Sequence, residues 1–524
     1  RDQPRSRGLG DVYKRQSLSM LFNSFVFLLA FPTIFAAYYL CPIKWRSWLL
    51  LLISYAVYMN WVPVYALILL WVTLTTYTGA RYISRNSPKN KLKMTVAGIL
   101  TLLPLLFFKY YNFINNIVYD ILTTLHLRIE INTMHWAVPI GISFFSFQAY
   151  GYLADVYYRR TDCERNLRDY ALFISFFPQI ASGPISKAKD LLPQIKSLKT
   201  FDADKATQGL KLLLWGLFLK VVLADRLGLY VDSIYDNYTY QTGFSLFVAS
   251  LCYSLQIYGD FAGYSLMAIG VAKVLGFDLI NNFNRPYFAT SITDFWHRWH
   301  ISLSIWLRDY VYIPLGGSRC SKLRTYWNIF ATFLVSGIWH GANWTFIIWG
   351  IIHGVAQIAE KALRLQKYEG GGNRRLRIII TFLIVNFAWI FFRMPSITDA
   401  CKVIGKIFTD FGTTLFLSNN SNMIYMLVAV CILFFKDMRD EFFPRRFLFF
   451  ENRNIAIRWS SYLSNPSDRR IGFRTIHLCK LLTHAEFSDQ IGHISCVMRS
   501  ARLRSGQNLR LSDSPCNRRI YKTG

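Results

Sequence analysis

From Trp327 to Ile358 the chain reads W-N-I-F-A-T-F-L-V-S-G-I-W-H-G-A-N-W-T-F-I-I-W-G-I-I-H-G-V-A-Q-I, without one Lys, Arg, Asp or Glu, and His340 sits near its middle. A single straight helix of that length would reach about 45–50 Å, against about 30 Å of bilayer hydrocarbon. Irregular backbone is tolerated at membrane depth only where protein or a cavity satisfies it. Gly337 and Gly341 are therefore expected to be breaks or close-approach points, leaving the imidazole in a protein-lined cavity. An ionisable group in that position points to function. The alternative is a buried histidine that only hydrogen-bonds a neighbouring helix.

Similar apolar stretches recur at Leu21–Leu40, Trp48–Trp61, Tyr65–Thr78, Met94–Phe108, Trp136–Leu153, Leu210–Leu223, Phe244–Ile257, Ile378–Phe392 and Met423–Phe435. Several approach the ~20 residues of a spanning helix, and the shorter ones suit tilted or re-entrant elements. With 53% hydrophobic and 17% aromatic residues in 524, the composition is too apolar for an ordinary soluble enzyme. The expected fold class is all-α, a polytopic membrane protein embedded in a lipid bilayer.

A formal charge of +29 invites a nucleic-acid reading, which the distribution of charge excludes. The basic residues gather in loops between apolar segments: Arg81, Arg85, Lys89, Lys91 and Lys93; then Arg159, Arg160, Arg165 and Arg168; then Lys187, Lys189, Lys196 and Lys199. Such loops are expected on the cytoplasmic side, and the uncharged turn Asn60–Pro63 on the other. The mature N-terminus then faces outward.

The nine cysteines are scattered without a C-x-x-C, so neither a disulfide framework nor a zinc site is supported. His297 and His300 are three apart, but no carboxylate or further histidine completes a metal site. There is no Gly-rich phosphate loop, no G-x-S-x-G and no internal repeat. Both ends differ from the rest. Residues 1–19 are polar and read as a non-native leader before Met20. Residues 464–524 carry no apolar run of spanning length and read as a disordered or frameshifted tail, which implies a lost apolar helix in the DNA read one base on. The membrane domain is expected to be residues 20–463.

A second constellation lies between Tyr258 and Gly317. Thr293 or Asp294 is a plausible N-cap for a helix running to about Tyr310, with Asp294 and Arg298 placed to pair at i,i+4. Phe295, Trp299, Leu303, Trp306 and Tyr310 recur at helical spacing as one apolar face. His300 lies beside that face, and Pro314, Gly316 and Gly317 end the element.

The blocks D-F-A-G-Y-S, N-F-N-R-P-Y, F-W-H-R-W-H-I-S-L-S-I-W-L-R-D-Y-V-Y-I-P-L-G-G and G-I-W-H-G-A-N-W resemble the membrane-bound O-acyltransferase (MBOAT) family. The likeness is greatest to its bacterial branch acting in alginate O-acetylation and teichoic-acid D-alanylation. It runs from M-L-F-N-S at Met20, through P-I-G-I-S-F-F-S-F-Q and F-F-P-Q-I-A-S-G-P-I, to about Phe435. The resemblance implies roughly ten to twelve tilted, broken and re-entrant helices around a central tunnel. It implies transfer of an acyl group from a thioester to a hydroxyl, with the active-site histidine of W-H-G at His340 and the second histidine, of R-W-H, at His300. It further implies a bacterial inner-membrane location, a donor such as acetyl-CoA or an acyl carrier protein, and an outward-facing SGNH-type acetyltransferase as partner. No bound cofactor is implied.

The chemistry of the residues agrees with that assignment. An attacking hydroxyl must lose its proton, and a positioned imidazole contributes ~10²–10⁴-fold as general base. His340 is the candidate base. His300 is placed to orient it, bind the acceptor, donate to the developing oxyanion, or simply pack. Trp339, Asn343 and Trp299 are candidate positioning residues. Arg308 and Asp309 read as an ion pair or a donor-phosphate contact, and Asp260 as a helix-to-helix hydrogen bond. His297, His353, His126 and His135 read as bystanders. A D-alanyl or lipid acyltransferase is the alternative within the class. A transporter or flippase is the alternative outside it, although such proteins more naturally show an internal repeat and paired intramembrane acids.

Overall fold

A computed structural model describes residues 22–85, 90–127, 133–134, 136–197, 199–366, 373–412, 414–416 and 420–443. The expected leader, the expected tail and His135 lie outside these residues. Among the described residues every regular element is helical. The helices are α1 (Phe25–Leu40), α2 (Ile43–Met59), α3 (Ala66–Ser84), α4 (Asn90–Thr124), α5 (Ile142–Tyr157), α6 (Leu167–Ser175), α7 (Phe177–Ile180), α8 (Ala188–Lys196) and α9 (Ala203–Leu217). They continue with α10 (Asp225–Tyr235), α11 (Gly243–Val274), α12 (Ile292–Arg298), α13 (Ile301–Leu307), α14 (Lys322–His340), α15 (Trp344–Ala362), α16 (Arg374–Arg393), α17 (Ile397–Thr409) and α18 (Asn420–Phe442). Among the described residues long helices alternate with short ones, α6, α7, α8, α12 and α13, as in a fold of broken and re-entrant helices.

Among the described residues four helical stretches are long and apolar enough to cross a membrane: Pro63–Ser84, Asn90–Thr124, Arg374–Arg393 and Ser421–Phe442. On α4 the exposed residues include Leu92, Val96, Ile99, Leu103 and Leu106, while Ala97, Gly98, Thr101 and Leu105 turn inward. An exposed apolar face of this kind suits contact with lipid.

Apolar surface gives little drive for helix association in a bilayer, so close backbone packing carries more of the load. The α9–α11 pair shows how. A Cβ on Gly209 would lie 2.6 Å from the Gly270 carbonyl oxygen, and one on Gly270 would lie 2.6 Å from that of Gly209. Gly216 and Gly263 repeat the arrangement at 2.6 and 2.8 Å. The two pairs let the backbones touch at two levels of an antiparallel crossing. Gly216→Ala is expected to destabilise the protein by about 1–3 kcal/mol, the usual range for overpacking. Thermal unfolding in detergent checks this, with Gly405→Ala as control, since a Cβ there meets nothing within 4 Å. A Gly216→Ala midpoint equal to that of the control would refute the packing argument.

Among the described residues the buried side chains form two cores. One gathers Phe145, Tyr152, Tyr170 and Phe173 from α5 and α6 with Leu303, Trp306 and Trp339. The other gathers Tyr258, Phe295, Trp296, Trp299, Trp349 and Trp389 from α11, α12, α15 and α16. Trp299 and Leu303 thus belong to different cores, as do Trp339 and Trp349. Each of the two histidine motifs straddles the junction.

Candidate active site

His340 is the last residue of α14. The charge-free run folds as a helical hairpin, α14 and α15, with the break at Gly341 and a close approach at Gly337. A Cβ on Gly341 would lie 2.1 Å from the Phe346 ring, and one on Gly337 would lie 2.4 Å from the Phe346 carbonyl oxygen. The His340 imidazole packs edge-on against Trp339, Trp349 and Phe392, with ring centroids at 4.8, 4.9 and 5.4 Å. Its Nε2 is buried and makes no hydrogen bond to protein.

The element carrying His300 departs from expectation. Ser291, not Thr293 or Asp294, caps it, its Oγ accepting from the Asp294 N–H at 3.0 Å. Asp294 and Arg298 do pair, at 2.9 Å. The expected continuous helix is nevertheless broken at Trp299–His300, where His300 adopts a left-handed conformation with φ 44° and ψ 54°. For a residue with a Cβ this costs roughly 1–2 kcal/mol and persists only where neighbours impose it. The neighbours are on the strand-free loop after α11. The Asn282 carbonyl oxygen accepts from the Ile301 N–H at 2.9 Å, its Oδ1 accepts from the Ser302 N–H at 3.2 Å, and the Asn284 N–H donates to the Arg298 carbonyl at 2.9 Å. The apolar face read as one stripe is therefore divided: Phe295 and Trp299 enter one core, Leu303, Trp306 and Tyr310 the other.

The His300 ring is 1% exposed and lies against Phe261, Trp339 and Phe144, at 4.6, 5.9 and 6.2 Å between centroids. Neither of its nitrogens bonds to protein. The Trp339 indole therefore contacts both imidazoles. A cavity of about 820 Å³ is lined by both histidines together with Trp299, Trp339, Lys109 and Asp260. Asp260 binds Lys220 at 2.5 Å, and Lys220 also binds Asp225 at 2.8 Å. The expected helix-to-helix contact of Asp260 is thus an ion pair at the cavity wall.

The other proposed site residues lie elsewhere. Asn343 caps α15, accepting from the Thr345 N–H at 3.1 Å and donating to the Pro395 carbonyl at 2.8 Å. Both ends of its amide are occupied. Arg308 and Lys187 both bind Asp309, Arg308 at 2.8 Å. Burial would raise the Asp309 carboxyl, but the hydrogen bonds from Arg308 and Lys187 outweigh it and hold it below the usual carboxylate range. Arg308, Lys187 and Lys189 line a second cavity of about 210 Å³ with Ser302 and Trp306. A third cavity of about 430 Å³ includes Ile301, Ser304, His297 and Ser336. The broken segment from Trp299 to Arg308 contributes residues to the lining of all three.

His353 is fully buried, its Nδ1 accepting from Trp296 Nε1 at 3.4 Å, and it packs among tryptophans away from the large cavity. Among the described residues no group of three or more His, Cys, Asp or Glu could hold a metal ion. Sequence reasoning missed Lys109 and Lys220, which line the same cavity as the histidines. The signal for Lys109 was present: it is the one charged residue between Lys93 and Asp120.

The chain is similar over most of its length to a family of known proteins. The sequence model of MBOAT, the membrane-bound O-acyltransferase family, matches residues 27–397. The probable alginate O-acetylase of Azotobacter vinelandii is 38% identical over 420 residues, covering 79% of this chain and 83% of that protein. The peptidoglycan O-acetyltransferase of Helicobacter pylori is 35% identical over 424 residues, covering 74% and 79%. The teichoic acid D-alanyltransferase of Bacillus subtilis is 30% identical over 268 residues, covering 48% and 68%.

Proposed function

Because the chain belongs to the membrane-bound O-acyltransferase family and is an acyltransferase, we propose that it takes an acetyl group from a cytoplasmic thioester and passes it across the membrane for O-acetylation of an exported polysaccharide. The observation that carries this reading is the pair of imidazoles on one cavity, His340 and His300, where His340 Nε2 and both nitrogens of His300 are buried without a protein partner. In the proposed step the acceptor hydroxyl gives its proton to His340 as its oxygen bonds the acyl carbon. The carbon–sulfur bond breaks, and the leaving thiolate takes the proton back. His300 orients the acceptor or donates to the oxyanion, which forms beside buried aromatic rings where a hydrogen bond is worth more than in water. The segment from Trp299 to Arg308 also contributes to a second crevice, where Lys187, Lys189 and Arg308 stand with Asp190 and Asp278, and its three cations are the candidate contacts for the phosphates of acetyl-CoA or of an acyl carrier protein's prosthetic arm.

The acetyl ester formed on that hydroxyl is then the donor for an outward-facing SGNH-type acetyltransferase, which breaks its carbon–oxygen bond, returns the hydroxyl and carries the acetyl group to the polymer. The O-acetylating relatives match at higher identity and coverage than the D-alanylating one, which favours acetyl over D-alanyl. Purified protein in nanodiscs, offered labelled acetyl and D-alanyl thioesters with a hydroxyl acceptor, tests the reading. Acetyl transfer is expected, and transfer of D-alanyl alone would replace the polysaccharide reading with the teichoic-acid one.

The proposed direction requires the basic loops to face the cytoplasm, on the inner membrane of the cell. Cysteines placed at Arg85 and Lys91 are expected to react with a membrane-impermeant reagent only from the cytoplasmic side, and one at Pro63 only from outside. Labelling of the Lys91 position from outside would invert the map and put the basic crevice on the wrong side for a cytoplasmic donor.

A further inference from the structure

We propose that Lys109 is a positioning residue for His340, holding the end of the helix that presents the imidazole; this rests on the reading of His340 as the catalytic base. The last four carbonyls of an α-helix have no donor within the helix. In α14 these belong to Gly337, Ile338, Trp339 and His340, and Gly341 follows in an extended conformation, φ −165° and ψ 154°, instead of the left-handed one that closes many helices. Two consecutive residues of α4 supply donors for two of these four. Lys109 Nζ donates to the Trp339 carbonyl oxygen, and Tyr110 Oη donates to that of Ile338 at 2.5 Å. The same ammonium reaches Ser143 Oγ at 3.3 Å and lies 5.5 Å from the centre of the Trp339 ring. A cation at a helix C-terminus also opposes the negative end of the helix dipole.

The consequence for His340 follows from what else holds it. Its ring is bounded by three aromatic edges, none of which fixes a nitrogen by hydrogen bonding, and its Nε2 has no protein partner. The direction of the imidazole therefore depends on the backbone turn from which it springs. Lys109 fastens that turn one residue before His340, through an atom 230 positions away in sequence. A displacement of about 1 Å in a reacting group can lower a rate by roughly 10²-fold.

Lys109→Met in the full chain, reconstituted in nanodiscs, is expected to lower kcat by roughly 10²-fold with the donor KM changed less than about twofold. Lys109→Arg, which restores a cationic donor, is expected to recover most of that loss. A KM rise with kcat preserved would overturn the proposal, assigning Lys109 to substrate binding. Unchanged turnover per folded molecule would overturn it too, leaving a lysine that only stabilises the fold. Hydrogen exchange of the peptide covering Ser336–Ala342 reads the turn without any substrate. Exchange there is expected to accelerate in Lys109→Met and to stay near wild type in Lys109→Arg. If the turn loosens while the unaltered protein transfers no acyl group, the function reading fails and the helix-end contact survives. If the unaltered protein is active and exchange in Lys109→Met is unchanged, the positioning role fails alone.

Discussion

His340→Gln is expected to lower acyl-transfer turnover by about 10²–10⁴-fold, the range a general base contributes, while the protein still inserts and folds. Glutamine fills similar space and keeps hydrogen-bonding capacity, but its amide cannot accept the proton of the attacking hydroxyl. His340→Ala is expected to be equally inactive. The chain around it from Trp327 to Ile358 has no formal charge, so removing the imidazole makes the segment no harder to insert. The imidazole's immediate contacts are rings, and its Nε2 has no protein hydrogen bond to lose. A purely structural histidine gives the reverse pattern, with Gln active and Ala unstable. The measurement is turnover per folded molecule in nanodiscs, with monodispersity checked for each variant. Near-wild-type turnover in His340→Gln would remove the catalytic assignment on which the proposed mechanism depends.

The second large effect is expected at His300, where backbone and side chain make separable demands. His300→Asn should retain measurable activity, because asparagine tolerates the left-handed conformation and still offers a hydrogen-bonding group. His300→Ala should lose more, since it removes the ring from between Phe261 and Trp339 and leaves a Cβ with nothing to offset the strained φ of 44°. His300→Gly isolates the side chain: the backbone strain disappears, yet the ring is gone. Its unfolding midpoint should lie close to that of His300→Asn while its turnover falls well below. Full turnover in His300→Gly would show that the ring has no part in the chemistry and that the break alone matters.

The contrast between the two histidines shows which features a single sequence exposes. The interruption of the Trp327–Ile358 run was legible because two glycines and an excess of length over bilayer thickness sit within the run itself. Both Gly337 and Gly341 prove to be points where a Cβ would collide with Phe346. The break at His300 was not legible. Helical spacing continues in phase from Phe295 to Tyr310, and nothing between Arg298 and Ile301 is a helix breaker. The interruption is imposed by Asn282, whose carbonyl and side chain take the first N–H groups of α13. The capping role of Asn343 was likewise not legible: a polar residue beside a motif histidine suggests a substrate contact, and only the start of α15 at Trp344 makes it the N-cap, accepting from the Thr345 N–H.

Local pattern determined the class of this protein. Apolar runs of spanning length, basic loops between them and motif histidines inside them are properties of neighbouring residues, and water, lipid and charge act on them whatever the fold. Only the tertiary structure decided which side chains share a space. It joined His340, His300, Trp339 and Asp260 to Lys109 and Lys220 on one cavity, and left Asn343, Arg308 and Asp309 outside it. The physical reason is that orphan groups at helix ends must find partners wherever the packing offers them. The Trp339 carbonyl finds Lys109 at a separation of 230 residues, and the Ile301 N–H finds Asn282 across a loop.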